Sequence, residues 1–90
     1  MEGHFEQAAA DIKTYGKDLS NEELLTLYSL YKQATVGDCN TERPGMLDLK
    51  GKAKWDAWNG VKGKSQVDAK KEYVQTVLKY LPDDVKAKYN

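Results

Sequence analysis

Tyr28, Tyr31 and Lys32 stand at positions i, i+3 and i+4, a spacing that on a helix gathers two aromatic rings and one ammonium on a single face. Lys50 and Lys54, also one helical turn apart, offer a second cationic face beyond a loop that holds Gly37, Asp38, Arg43, Pro44 and Gly45. A tyrosine ring stacks on a flat base while its hydroxyl donates to a phosphate, and a lysine supplies a mobile positive charge. Two such faces brought together would grip a ligand that is both phosphorylated and flat. Each half alone also has an ordinary reading: amphipathic core tyrosines with Lys32 snorkelling past them, and a solvated lysine face. Trp55 and Trp58 read as core fillers, Tyr73 shares the ambiguity of the other tyrosines, and Arg43-Pro44-Gly45 reads as a turn, with proline fixing φ and glycine allowing positive φ.

Catalysis finds little support. The only histidine, His4, is close to a terminus, and the only cysteine, Cys39, lies in a polar loop without a partner nearby in sequence. Covalent catalysis needs a nucleophile within hydrogen-bond reach of a base. Glu22-Glu23 and Asp83-Asp84 suit the first turns of helices, where negative charge meets the positive end of the dipole. No His/Cys pair stands at metal-ligand spacing. The expectation is a binding protein with no catalytic residue, metal or cofactor.

Ninety residues make one domain, spanning 1–90. A domain of this size buries roughly 60–65% of the surface its unfolded chain exposes, so a surface groove or shallow bowl is the realistic ligand site. The formal net charge is zero and there is one arginine, which argues against a nucleic-acid coat. The charge is uneven, however: from Lys50 to Lys64 there are five lysines against Asp56 alone. A lone cysteine favours a reducing compartment, no apolar run suggests a signal peptide or membrane span, and Glu2 replaces the glycine that myristoylation requires. These features point to a soluble, cytoplasmic protein.

The elements that must position the lysines and tyrosines are all helical. Phe5, Ala8, Ala9, Ile12 and Tyr15 mark one face of a first helix, which Gly16 stops. Ser20 and Glu23 form a capping box for the second, with Leu19 and Leu24 placed as a hydrophobic staple. Its apolar set, from Leu24 through Leu25, Leu27, Tyr28, Leu30 and Tyr31 to Ala34, is too wide for one stripe, so part of it faces a second neighbour or a ligand. A third helix runs from about Leu49 to Lys62, with Leu49, Ala53, Trp55, Trp58 and Val61 facing inward. Gly51 and Gly60 are expected to weaken it by roughly 1 kcal/mol each relative to alanine. Ser65 caps a fourth helix whose inner face carries Ala69, Tyr73, Val77, Tyr80 and Leu81, and Pro82 ends it. The remainder, 83–90, reads as one extra turn or a frayed tail. Four packed helices leave no long apolar surface over, so a monomer is expected.

The run from Tyr28 to Asp38, YSLYKQATVGD, followed by Arg43-Pro44-Gly45 and by Gly51 to Trp58, GKAKWDAW, strongly resembles the acyl-CoA-binding protein family, small intracellular carriers of fatty acyl-CoA thioesters. Lys62-Gly63, Ser65 and Tyr73 continue the likeness, which extends with less force from Phe5 to about Tyr80. The resemblance implies an all-α fold, a four-helix up-down-down-up bundle with a ligand bowl on its surface. It places Tyr31 by the adenine, beside Lys13 and the Ala9 region, and Tyr28, Lys32 and Lys54 on the ribose 3′-phosphate. Lys50 and Tyr73 complete the contacts to the head group and thioester end, and Leu24, Leu25 and Ala53 line the acyl track. The chain departs from the family pattern at Gly60, at Cys39 and in the tail after Pro82, none of which is an implied ligand contact.

The function so implied is tight binding of medium- and long-chain acyl-CoA by a non-catalytic carrier and pool former that hands its cargo to acyl-CoA-using enzymes, without stable membrane insertion. The rival is a protein-interaction or signalling module in which lipid binding is incidental. A carrier needs Lys32 and Lys54 aimed at one phosphate, whereas a partner-binding face needs only general charge. Lys64, by contrast, is expected to be solvated.

Overall fold

A computed structural model describes residues 2–89, with the side chain of Glu2 excepted. The helices are α1 (Glu2–Tyr15), α2 (Asn21–Thr35), α3 (Leu49–Asn59), α4 (Gln66–Leu78) and a short α5 (Asp83–Lys86) that runs into a 3-10 turn, Ala87–Tyr89. There is no strand among the described residues. α2 is the hub, packed on one side against α4 and on the other against α3, while α1 packs on α4.

Side-chain pairs give the directions. Tyr28 meets Lys54 and Lys32 meets Trp58, so a step of one turn along α2 is a step of one turn along α3, and the two run parallel. Tyr31 meets Tyr73 while Ala34, further along α2, meets Gln66, earlier in α4, so these two are antiparallel. Parallel neighbours need a long return, and the 36–48 connection supplies it. The result is a slab of 42 × 28 × 15 Å, too thin to enclose a ligand.

Local chemistry sets the helix starts. Ser20 Oγ accepts the Glu23 N–H and Glu23 Oε1 accepts the Ser20 N–H, completing the capping box. Ser65 Oγ accepts the Asp68 N–H at the start of α4. Gly37 and Gly63 take φ of 100° and 94°, conformations that side chains disfavour, and end α2 and the turn after α3.

The core joins Phe5, Ala8, Leu27, Leu30, Ala34, Ala69, Tyr73, Val74, Val77 and Leu81. Several expectations need correction. Tyr15 and Leu49 are exposed, because α1 packs chiefly on α4 and α3 on α2, each keeping a narrow inner face; Leu24, at the start of α2, is exposed as well. α3 stops at Asn59 and its last turn tightens into i→i+3 bonds, Val61 N–H to Trp58 O and Lys62 N–H to Asn59 O. The turn near Arg43 falls two residues later than expected, closed by Asp48 N–H to Gly45 O, and Gly45 has no positive φ. The tail is neither frayed nor a lone turn: Val85 and Tyr89 are buried, and Tyr89 donates its hydroxyl to Asp11 Oδ2 at 2.7 Å. Asn90 lies outside the described residues.

Candidate ligand-binding site

Parallel packing of α2 on α3 sets two rows side by side, each stepping by one turn: Leu24 and Leu25, Tyr28, Lys32 on α2, and Lys50, Lys54, Trp58 on α3. At the lower end, Asn21, Leu24, Leu25, Leu49, Lys50, Ala53 and Lys54 line a mostly apolar groove of about 420 Å³. Above it, Lys54 Nζ stands 5.5 Å from the centre of the Tyr28 ring. One turn further, Lys32 Nζ stands 4.9 Å from the centre of the Trp58 ring. Both ammoniums thus rest on π faces. Lys54 belongs to the groove and to the cationic row alike, so an apolar channel runs straight into a positive strip.

Tyr31, on the adjoining face of α2, is 40% exposed and stacks on Phe5 with 17° between the ring planes. Tyr73 packs against both, 5.1 Å from Phe5 and 5.8 Å from Tyr31. Only 4% of Tyr73 is exposed, and this burial, followed by the neighbouring Tyr31, pushes its phenol up to about 12. Tyr73 therefore stays neutral and holds Tyr31 in place from beneath.

Lys13 is exposed in the last turn of α1. It follows Phe5 and Ala9 at four-residue intervals, about 12 Å along the axis from Phe5 at the helical rise. Seven of the expected site residues thus lie in one continuous band from Leu24 to Lys32 on α2 and from Lys50 to Lys54 on α3. Tyr31 and Tyr73 form the adjoining aromatic patch. Lys13 is the outlier, making no side-chain hydrogen bond or ion pair among the described residues.

A polar network pins the strip. Buried Gln33 donates through Nε2 to Asp38 Oδ1 at 2.9 Å and to the Lys64 carbonyl at 2.6 Å. Asp38 Oδ1 also accepts the Gly63 N–H at 2.8 Å, and that bond, then the one from Gln33, holds its carboxyl below the usual range. Trp58 donates Nε1–H to the Gly37 carbonyl and Trp55 to that of Thr41, fixing the loop to α3. Arg43 forks onto Asp56 through two 2.9 Å bonds, which lower the Asp56 carboxyl. Asp48 caps α3 by accepting the Gly51 N–H.

Gln33, Asp38 and Asp48 were not expected to have parts in this site. Only Asp48, a carboxylate three residues before an N–H, carried a local signal. Lys64, expected to be solvated, is half-buried and ion-paired with Glu72.

A larger hollow, about 520 Å³, lies between α4 and α5, lined by Gln75, Leu78, Lys79, Asp83, Lys86, Ala87 and Tyr89. Size alone does not make it the better site. It lacks the exposed ring beside paired ammoniums, and its cations are interleaved with Asp83. Among the described residues, no group of three or more His, Cys, Asp or Glu could hold a metal ion, and no helix is long and apolar enough to cross a membrane.

Comparison with known proteins gives the same direction at every level. The family model described as "Acyl CoA binding protein" matches residues 2–77. The chain is 58% identical over 73 residues to acyl-CoA-binding protein homolog 1 of Caenorhabditis elegans, covering 81% of this chain and 85% of that one. The crystal structure of acyl-CoA-binding protein 2 from Oryza sativa superposes with a TM-score of 0.86 at 45% identity, covering 96% of this chain and 94% of that one. The crystal structure of the Moniliophthora perniciosa protein superposes with a TM-score of 0.83 at 38% identity, covering 99% and 91%. The match takes in both rows, the loop between them and the up-down-down-up order of the four main helices. With sequence, fold and family model in agreement over almost its whole length, the chain belongs to the acyl-CoA-binding protein family.

Proposed function

We propose that this chain binds medium- and long-chain fatty acyl-CoA along the α2–α3 face and serves as its carrier. The observation that carries the reading is the shared position of Lys54, which edges the apolar groove and stands over Tyr28 in the cationic row. A ligand with an apolar tail and a phosphorylated, aromatic head has that same order of parts.

In this reading Leu24, Leu25 and Ala53 line the acyl track. Lys50 meets the thioester end. Tyr28, Lys32 and Lys54 hold the 3′-phosphate, and the adenine lies by Tyr31, with Lys13 and Ala9 at its edge. Tyr73 contributes mainly by fixing Tyr31. Burying methylenes yields about 0.8 kcal/mol each, so roughly a dozen buried carbons give on the order of 10 kcal/mol before binding costs. Charge-assisted hydrogen bonds to the phosphates add about 1.5–3 kcal/mol each before compensation. Neither half suffices alone.

No step in this function needs a nucleophile or a cofactor. The protein works as a cytoplasmic monomer that shields the thioester and delivers it to acyl-CoA-using enzymes. Titration of palmitoyl-CoA into Lys32→Ala and Lys71→Ala proteins tests the geometry, since Lys71 is exposed on α4, away from the face. A large loss for Lys32→Ala alone is expected. Equal losses would reduce the face to general charge.

A further inference from the structure

Turns are ordinarily built from glycine, proline, asparagine, aspartate and serine, because their tips face water. The turn from Gly45 to Asp48 breaks that rule. Its closing bond runs from Asp48 N–H to Gly45 O at 3.1 Å, which puts Met46 and Leu47 at its two central positions. Met46 is 84% exposed and Leu47 is 101% exposed, and Leu49 just beyond is 72% exposed. Three large apolar side chains within four residues therefore stand in solvent.

The tip is firmly held. Asp48 caps α3 through the Gly51 N–H, and Arg43 ties the loop to Asp56. Leu49 and Lys50 continue from the tip directly into the lining of the acyl groove.

The charges around the tip are arranged to match. Lys50, Lys52 and Lys54 follow it on the first two turns of α3. Along the segment 42–56, Asp56 is taken by Arg43 and Asp48 by the helix N-terminus, which leaves Glu42 against the three lysines. An apolar tip followed by a run of lysines suits one environment well: the boundary of a bilayer, where apolar side chains enter the acyl region and lysines meet anionic head groups. A protein partner would have to offer an apolar pit with an acidic rim, a rarer surface.

We propose that the Met46-Leu47 turn is a docking tip for anionic bilayers, placing the mouth of the acyl groove at the membrane surface. The groove's part rests on the acyl-CoA reading above; the docking itself does not. Docking of this kind is shallow and reversible, with two side chains inserted and the helices outside. A chain leaving the bilayer would then pass from lipid to groove past Leu49.

Flotation of the full chain with vesicles of phosphatidylcholine, with and without phosphatidylserine, tests this directly. The wild type is expected to float with the anionic vesicles and much less with the neutral ones. Met46→Ser/Leu47→Ser is expected to lower the bound fraction about tenfold or more, the scale of removing two inserted apolar side chains. Val67→Ser, another exposed apolar residue, at the start of α4 and outside the 36–48 connection, should behave as wild type. Titration of palmitoyl-CoA in free solution should be the same for the double variant and wild type, because neither residue lines the groove. Absence of flotation with either vesicle, or equal flotation of wild type and double variant, overturns the proposal. Loss of palmitoyl-CoA binding by the wild type in solution would instead refute the acyl-CoA reading and leave the flotation result to stand by itself.

Discussion

Lys54 Nζ stands 5.5 Å from the centre of the Tyr28 ring, held between a hydrocarbon groove and a second ammonium one turn away on Trp58. Lys54→Ala removes the charge where the two halves of a ligand would join. We predict a loss of palmitoyl-CoA affinity of about 10- to 100-fold, the scale of one charge-assisted hydrogen bond, against about twofold or less for Lys71→Ala. Titration calorimetry on both variants checks this.

Ionic strength separates the two halves. Lys32 and Lys54 lie on an open face, so salt screens the head-group attraction while leaving the chain term nearly intact. Affinity for free CoA should fall as salt rises, and the ratio of palmitoyl-CoA to CoA affinity should stay close to constant. A ratio that falls in step with the CoA affinity would mean that the tail also depends on charge.

Gly51 reads from the sequence as a weak point of α3, yet a Cβ there would clash with the Asp48 carboxylate that caps the helix. Gly51→Ala should therefore destabilise by about 1 kcal/mol, the value of a lost cap, despite alanine's better helix propensity. Asp48→Ala should cost a similar amount, and the double variant little more than either alone. Urea denaturation of the three proteins decides it. A stabilised Gly51→Ala would show that the cap yields easily.

This glycine illustrates how much of the molecule could be read beforehand. Ser20, Glu23 and Ser65 announce helix starts because capping is a matter of three adjacent residues. The band from Tyr28 to Trp58 was legible because helical spacing and family resemblance agree. Contacts across long stretches of chain left no such trace. Gln33 meets Lys64 and Gly63 meets Asp38, pairs separated by 31 and 25 residues. Tyr89 reaches Asp11 from 78 residues away, beyond a proline that signals an ending. Leu49 looked like core because it is apolar at a helix start, and no periodicity tells a core face from a groove lip.

Acid should weaken the fold through Asp38. Its carboxyl is depressed by the Gly63 N–H and by Gln33, so its contribution is present above the unfolded carboxylate value of about 4 and lost as pH falls through the lower folded value. Asp38→Asn keeps an acceptor but no titrating group, and should flatten the acid limb of a stability–pH curve.

At the alkaline end Tyr73 acts with the opposite sign. Its folded value is raised from 10.0 to about 12, so its contribution is present below 10 and lost as pH climbs toward 12. Tyr73→Phe should flatten that limb in the same denaturation series. An unchanged limb would put the alkaline loss elsewhere, for example on Tyr89, which burial and Asp11 also push up.

The central claim is that one face joins a hydrocarbon groove to a phosphate-binding strip, and calorimetric titration of palmitoyl-CoA below its micelle-forming concentration, with free CoA and palmitate alongside, tests it most directly. The account predicts one-to-one binding of palmitoyl-CoA at nanomolar level, CoA far weaker, and palmitate undetectable. Palmitate binding as tightly as palmitoyl-CoA, or no saturable binding of palmitoyl-CoA, would contradict it.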